Sequence, residues 1–217
     1  MPVLPLKASD YRFPPVELAE EDGLLAFGGD LSPERLLNAY CSGVFPWFGP
    51  QGPILWWSPD PRTFVTPDQL HVPTRLERTI RSGKFEVREN SNFRAVITHC
   101  AQVPRPKQKG TWIVPEMIEA YCEMHRLGLG YSIEAWRNGA LVGGVYGVQL
   151  GKVFFAESMF SLERDASKVA LVHLLRSRFE AGFLFVDAQV YNDHLGQFGF
   201  LERPRSEFLR LLRQAIA

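Results

Sequence analysis

The run Phe183-Leu184-Phe185-Val186-Asp187-Ala188-Gln189 closes an apolar stretch with a carboxylate and an amide two residues apart. In an extended strand, period two puts Asp187 and Gln189 on one face and Leu184, Val186 and Ala188 on the other. A carboxylate there is costly to bury alone, so either hydrogen-bonded neighbours satisfy Asp187 or it borders a cleft. Glu157 repeats the pattern, ending Val153-Phe154-Phe155-Ala156 and preceding Ser158-Met159-Phe160. Each acid alone reads most simply as a strand-end ion pair or a loop cap. Two acids and an amide at the ends of two strands make a candidate site.

Aromatic residues supply a second candidate. Gly43-Val44-Phe45-Pro46-Trp47-Phe48 and Trp56-Trp57-Ser58-Pro59-Asp60-Pro61 place three of the five tryptophans in a stretch rich in proline and glycine. Such a stretch reads as loop, where an aromatic binding platform competes with core packing. Net charge is zero but uneven. Residues 1–61 hold 3 Lys/Arg against 8 Asp/Glu, residues 62–109 hold 10 against 4, and residues 110–217 hold 11 against 12. The basic middle carries Arg75, Arg78, Arg81, Lys84 and Arg88 on or just after a short helix, and Arg105, Lys107 and Lys109 in a loop. That field suits phosphate, against the plainer reading of a solvated polar face.

Other chemistries find little support. The five histidines show no metal-ligand spacing, so no metal is expected, and His194 reads as a loop hydrogen-bonder. Cys41, Cys100 and Cys122 fit neither a metal pattern nor a disulfide framework and are expected to be free, mostly buried thiols. Gly28-Gly29 and Gly143-Gly144 lack the strand-to-helix context of a phosphate loop and read as tight turns or close packing. The proline-broken N-terminus and the lack of a run of ~18 apolar residues point to a cytoplasmic protein with no membrane partner.

The elements that must position these residues are marked locally. Ser32 as N-cap, Pro33 at the first helical position and Gly43 beyond the end frame a first helix. Thr74 to Glu77 fits a capping box for a second helix closing at Gly83, Phe93, Val96, Ile97 and Cys100 recur at helical spacing, and a fourth helix starts at Pro115 with Ile118, Tyr121 and Cys122 inward. Strand patterns follow: residues 131–137, a turn at Asn138-Gly139, residues 140–149, and residues 152–158 form an antiparallel meander. A helix with Asp165 as N-cap, the strand 183–189 and a helix after Pro204 complete an α+β arrangement, with a small domain at 1–61 and a larger one at 62–217.

Several motifs together resemble one family. They are Gly23-Leu-Leu-Ala-Phe-Gly-Gly-Asp-Leu-Ser-Pro33, Phe45-Pro-Trp-Phe48, Trp56-Trp-Ser-Pro-Asp-Pro61, Gly110-Thr-Trp-Ile113, Glu157-Ser-Met-Phe160, Ala166-Ser-Lys168 and Asp187-Ala-Gln-Val-Tyr-Asn-Asp-His194. In order from about Phe13 to Arg205, they look like leucyl/phenylalanyl-tRNA-protein transferase. The resemblance implies a bacterial, cytoplasmic enzyme that moves leucine or phenylalanine, and less readily methionine, from aminoacyl-tRNA to proteins beginning with Arg or Lys, creating an N-terminal degradation signal. It also implies a small N-terminal α/β unit followed by a GNAT-like acyltransferase domain, with no cofactor. By the resemblance, Trp47 and Trp112 sandwich the terminal adenine of the tRNA, and Val145, Phe154, Met159, Leu171 and Val186 line the amino-acid pocket. Arg75, Arg78, Arg81, Lys84 and Arg88 would then hold tRNA phosphates.

An aminoacyl ester is already activated toward an amine, so direct aminolysis is expected, with Gln189 positioning the amine, Asp187 orienting Gln189, and Glu157 binding the cationic N-terminus. An α-amino group titrates near ~8 and a carboxylate near ~4, so neither acid serves as a base unless strongly shifted. A coenzyme A-dependent N-acetyltransferase shares the expected fold order, but the segment Met159–Arg164 lacks the glycine-rich loop that holds pyrophosphate on backbone amides. A non-catalytic RNA-binding module would leave Glu157, Asp187 and Gln189 without a task. A monomer is expected, with Trp56 and Trp57 packed between the two domains.

Overall fold

The computed structural model describes residues 3–7, 10–103 and 111–217. The chain first builds a small sheet from β1 (Leu4–Leu6), β2 (Leu24–Gly28), β3 (Phe45–Pro46) and β4 (Leu55–Trp57), in the order β1-β2-β4-β3, with α1 (Pro33–Cys41) between β2 and β3. Ser32 caps α1 by accepting from Arg35 N at 3.4 Å, and the paired glycines 28 and 29 both turn with positive φ. A Cβ on Gly29 would meet Arg35 Nε at 2.9 Å. That arginine is fully buried, and it donates to the carbonyls of Lys7 and Asp10 and to the Asp30 carboxylate, tying the N-terminal segment to the helix.

The second sheet has seven strands: β5 (Arg62–Val65), β6 (Glu86–Glu89), β7 (Gly130–Arg137), β8 (Ala140–Leu150), β9 (Val153–Ser161), β10 (Phe185–Gln189) and β11 (Leu201–Arg203), in the order β11-β5-β10-β9-β8-β7-β6. Between β5 and β6 lies α2 (Thr74–Arg81), between β6 and β7 lie α3 (Phe93–Gln102) and α4 (Pro115–Arg126), and α5 (Ala166–Glu180) crosses from β9 to β10. The short α6 (Asp193–Gly196) and α7 (Arg205–Ala215) flank β11. The expected meander is β7-β8-β9, and the mixed α+β architecture has the expected helix, strand and helix after it.

Strand alternation sorts the core into two layers. Phe155, Phe185, Tyr146 and Phe64 face α3, α4 and α7, in one cluster with Trp56 and Tyr40 of the N-terminal segment. Phe154, Val186, Val145 and Ile133 face the apolar residues of α5. β9 and β10 pair in parallel through Phe185↔Val153, Val186↔Phe154 and Asp187↔Phe155. Beyond that register the two strands part, β9 running on to Ser161 while β10 stops at Gln189, and the parting opens the sheet between them.

Several local expectations are corrected. Pro73, not Thr74, occupies the N-cap of α2 and makes no side-chain cap, while Glu77 is drawn off by Arg81 and Arg176. Asp165 precedes α5 in the left-handed region (φ 71°) without capping it; Ser161 Oγ accepts from Ser167 N instead. On α4 the buried residues are Met117, Tyr121 and Met124, with Ile118 and Cys122 only half-buried. All three cysteines are free, but Cys100 alone is buried and Cys41 is exposed.

Candidate functional site

Two β-bulges aim the polar residues. In the β8-β9 ladder Tyr146 faces Ser158 and Gly147 faces Ala156, so Glu157 is the extra residue and turns out of the alternation. In the β10-β5 ladder Asp187 faces Phe64 and Gln189 faces Thr63, so Ala188 is extra and Gln189 adopts φ 62°. Strict alternation therefore fails where the chemistry would be, and Asp187 and Gln189 do not share one regular face.

Glu157 and Gln189 meet in the gap between β9 and β10. With its –NH2 donating to the carbonyls of Ala156 (3.1 Å) and Ala188 (2.9 Å), the buried Gln189 amide has both hydrogens satisfied and turns its carbonyl oxygen toward Glu157. Turned over, its –NH2 would donate to Glu157 Oε1 at 3.3 Å. The other carboxylate oxygen of Glu157 accepts from Tyr121 at 3.3 Å, and Tyr121 shares a 2.5 Å hydrogen bond with Tyr40. Burial pushes the Glu157 carboxyl up to about 7, with nearby Asp187 adding to the rise and the two tyrosines and Arg62 opposing it. Both tyrosines are fully buried, which holds their hydroxyls well above the ordinary phenol range and so neutral.

Asp187 stands elsewhere. It is fully buried and its two oxygens receive Arg62 Nε and Nη2, both at 2.8 Å, while its link to Gln189 is a 3.4 Å bond from the backbone N–H. Its carboxylate therefore holds the bulge rather than the Gln189 amide, a correction to its expected role. Arg62 is a residue that counting charges had merged into the basic middle segment. An arginine opening the apolar run Arg62-Thr63-Phe64-Val65 mirrors Asp187 near the end of another, and that symmetry was available in the sequence.

Two cavities join at this point. The first, about 280 Å³, is lined by Val145, Met159 and Leu171 with Glu157, Gln189 and His194, among others. The second, about 300 Å³, lies between Trp47 and Trp112 and is completed by Phe45, Pro46, Val190 and Tyr191. Glu157, Ala188, Gln189 and Asn192 border both. Phe154 and Val186 are fully buried in the layer beneath and do not reach the wall of the first cavity. His194 is held below its ordinary value by burial, with Lys168 adding to the effect, so it presents a neutral ring there.

The platform is braced from behind. Trp47 is 43% exposed, and Trp57 donates its indole N–H to the Trp47 carbonyl at 2.6 Å with its ring 5.7 Å from that of Trp47. Trp56 is fully buried, donating to the Gly28 carbonyl at 2.9 Å. Trp56 is thus core, whereas Trp57 belongs to the platform. Of the basic residues, Arg81 pairs with Glu77, Lys84 with Glu163, and Arg88 with Glu86 while stacking on Trp136. Arg75 and Arg78 have no carboxylate partner among the described residues and point into solvent. Arg105, Lys107, Lys109 and Gly110 lie outside the described residues. Among the described residues no group of three or more His, Cys, Asp or Glu could hold a metal, and no helix is long and apolar enough to cross a membrane.

Comparison with known proteins bears on this arrangement. A family model described as leucyl/phenylalanyl-tRNA protein transferase matches residues 64–213, and the model for that transferase's N-terminal domain matches residues 29–60. A leucyl/phenylalanyl-tRNA–protein transferase of Anaeromyxobacter dehalogenans (strain 2CP-C) is 54% identical over 216 residues, covering 100% of this chain and 92% of its own. One from Nitratidesulfovibrio vulgaris (strain DP4) is 57% identical over 203 residues, covering 94% and 87%. Among solved structures, a GCN5-related N-acetyltransferase-like protein from Streptococcus suis is distantly similar, with 12% identity and a TM-score of 0.39 over 74% of this chain and 59% of that one. With family models spanning most of its length and relatives more than half identical end to end, the chain belongs to the leucyl/phenylalanyl-tRNA protein transferase family and is a transferase.

Proposed function

We propose that this transferase moves leucine or phenylalanine, and less readily methionine, from aminoacyl-tRNA to the N-terminal Arg or Lys of acceptor proteins, in the cytoplasm and as a monomer. The observation that carries the reading is the meeting of the two cavities at Glu157, Ala188, Gln189 and Asn192. An aminoacyl-adenosine has the same shape: a flat base at one end, an apolar side chain at the other, and the ester between them. Trp47 and Trp112 take the adenine, and stacking on such rings contributes ~1 to 3 kcal/mol per base. Val145, Met159 and Leu171 take the side chain; a methylene more or less changes binding there by only ~1 to 3 kcal/mol, which allows several apolar residues. Residues 1–61 act as a small platform domain and residues 62–217 as the catalytic domain, with Arg75 and Arg78 the cations freest to meet tRNA phosphates.

At the junction the α-amine of the acceptor attacks the ester carbonyl carbon. A C–N bond forms, and the bond to the ribose oxygen breaks. The Gln189 carbonyl oxygen accepts an N–H of the incoming amine and fixes its line of approach. Glu157 attracts the cationic N-terminus and, titrating at about 7, is able to take the proton the ammonium must lose. The leaving ribose oxygen is protonated in turn, from Glu157 or from water. The product carries a Leu or Phe N-terminus, which serves as a degradation signal.

The tRNA reading is favoured over coenzyme A by the start of α5. There Ser161 Oγ takes the amide of Ser167 and the Glu163 carbonyl takes that of Ala166, so amides that would hold a pyrophosphate are already engaged. The test is transfer of labelled phenylalanine from Phe-tRNA to peptides starting with Arg or Ala. Label should enter only the Arg peptide; no transfer at saturating Phe-tRNA would overturn the reading.

A further inference from the structure

Arg62 makes every contact that connects the aromatic platform to the end of β10. Its Nε and Nη2 hold both oxygens of Asp187 at 2.8 Å, and its Nη1 donates to the Gly43 carbonyl at 3.2 Å. Gly43 stands between α1 and the Phe45–Trp47 segment; it has φ 75°, and a Cβ there would lie 2.8 Å from both Phe208 and Leu209. The guanidinium plane is enclosed by the rings of Phe45 at 4.9 Å and Phe208 at 4.5 Å, and none of the side chain is exposed. Phe45 lines the second cavity, and Asp187 receives the backbone N–H of Gln189. One side chain thus touches the platform segment, the ring beneath it and the carboxylate that fixes the Gln189 bulge.

We propose that Arg62 is a positioning residue that keeps the Trp47 platform and the Gln189 bulge in register, so that a bound aminoacyl-adenosine presents its ester to the amine at reacting distance. It touches no substrate and acts through Gly43, Phe45 and Asp187. The fork geometry matters as well as the charge. A guanidinium reaches two carboxylate oxygens and a third acceptor at once, whereas a lysine ammonium placed on Asp187 has no planar third arm for Gly43. Since a misplacement of about 1 Å costs on the order of 100-fold in rate, losing the Gly43 arm alone should be visible in turnover.

The proposal rests on the reading of the two cavities as an aminoacyl-adenosine site, so its test begins by measuring binding of 3′-phenylalanylamido-adenosine, a non-transferable mimic, to the parent protein. Absence of binding there overturns that reading, and with it this role for Arg62. Given binding, Arg62→Lys should keep its far-UV circular dichroism and a single cooperative melt, bind the mimic several-fold more weakly, and turn over at saturating Phe-tRNA on the order of 100-fold more slowly. The double substitution Arg62→Met with Asp187→Leu removes both buried charges and should recover most of the melting temperature lost by Arg62→Met alone, because a buried pair is often replaceable by apolar volume. Turnover should stay low in that double variant. If Arg62→Lys matched the parent in turnover and mimic binding, or if turnover returned with stability in the double variant, Arg62 would be a structural ion pair and nothing more.

Discussion

Tyr40 and Tyr121 share a hydrogen bond of 2.5 Å across 81 positions of sequence, and Tyr121 passes a second one to Glu157 at 3.3 Å. α1, α4 and β9 therefore converge on one carboxyl group, which is closed off from water on the side away from the cavities. The same enclosure that lifts Glu157 to about 7 supplies two neutral hydroxyls that limit the rise.

This convergence gives stability a specific pH dependence. The folded protein holds the Glu157 proton up to about 7, whereas an ordinary glutamate loses it near 4.5. Between those values the folded state binds more protons than the unfolded one, so the Glu157 contribution is most favourable below 4.5 and is lost as pH rises through 7. Glu157→Gln keeps the side chain neutral at every pH. Its melting temperature should equal the parent's in acid and exceed it above pH 7, by up to about 3 kcal/mol of stability. Transfer should fall in the same variant. A parallel decline of parent and variant with pH would show that Glu157 is not the group titrating.

Tyr121→Phe should act in the opposite sense on the carboxylate. Removing a donor to the charged form raises the Glu157 pKa further, so the rising limb of turnover against pH should move to higher pH. The check is a kcat profile at saturating Phe-tRNA; an unmoved limb assigns the proton to another group.

The tryptophans separate by what they touch. Trp47→Ala should weaken aminoacyl-tRNA binding by roughly 5- to 100-fold, the loss of one stacked base, with an unchanged melt. Trp57→Ala removes the indole that holds the Trp47 carbonyl, and should weaken binding nearly as much despite Trp57 being outside the cavity wall. Trp56→Ala empties a fully buried site and should cost about 3 to 5 kcal/mol of stability. Filter binding and thermal melts on the same three variants decide all three statements.

How far these residues were legible follows from the range of the forces that place them. Helix starts such as Ser32-Pro33 and the turn at Asn138-Gly139 depend on neighbours in sequence, and the structure has both. Thr74 and Asp165 looked like caps for the same local reason, but Pro73 and Ser161 took those places through contacts that composition does not reveal. Glu157, Asp187 and Gln189 stood out because polar groups at the ends of apolar strands need an explanation. Their division of labour did not, since it depends on two bulges and on partners 125 and 36 residues distant, Arg62 and Tyr121. Phe154 and Val186 fell on the wrong side of the cavity wall because an apolar residue one layer deep has the same sequence pattern as one at the surface of a pocket.

The bulge that aims Glu157 depends on Gly147, the residue across the ladder from Ala156. A Cβ there would lie 2.0 Å from the Phe155 carbonyl and 2.6 Å from the Phe154 ring. Neither neighbour is free to give, since Phe154 and Phe155 are both fully buried. The strain of Gly147→Ala is relieved most readily where the ladder is already irregular, by pushing β9 outward around Glu157. The carboxyl then leaves Tyr121 and gains water, which removes the burial that raised its pKa. Gly147→Ala should therefore lose transfer more steeply than stability, and its turnover limb should move toward lower pH, opposite to Tyr121→Phe. A variant that melts early but keeps the parent's pH profile in its folded fraction would show that the bulge serves packing, not the placement of Glu157.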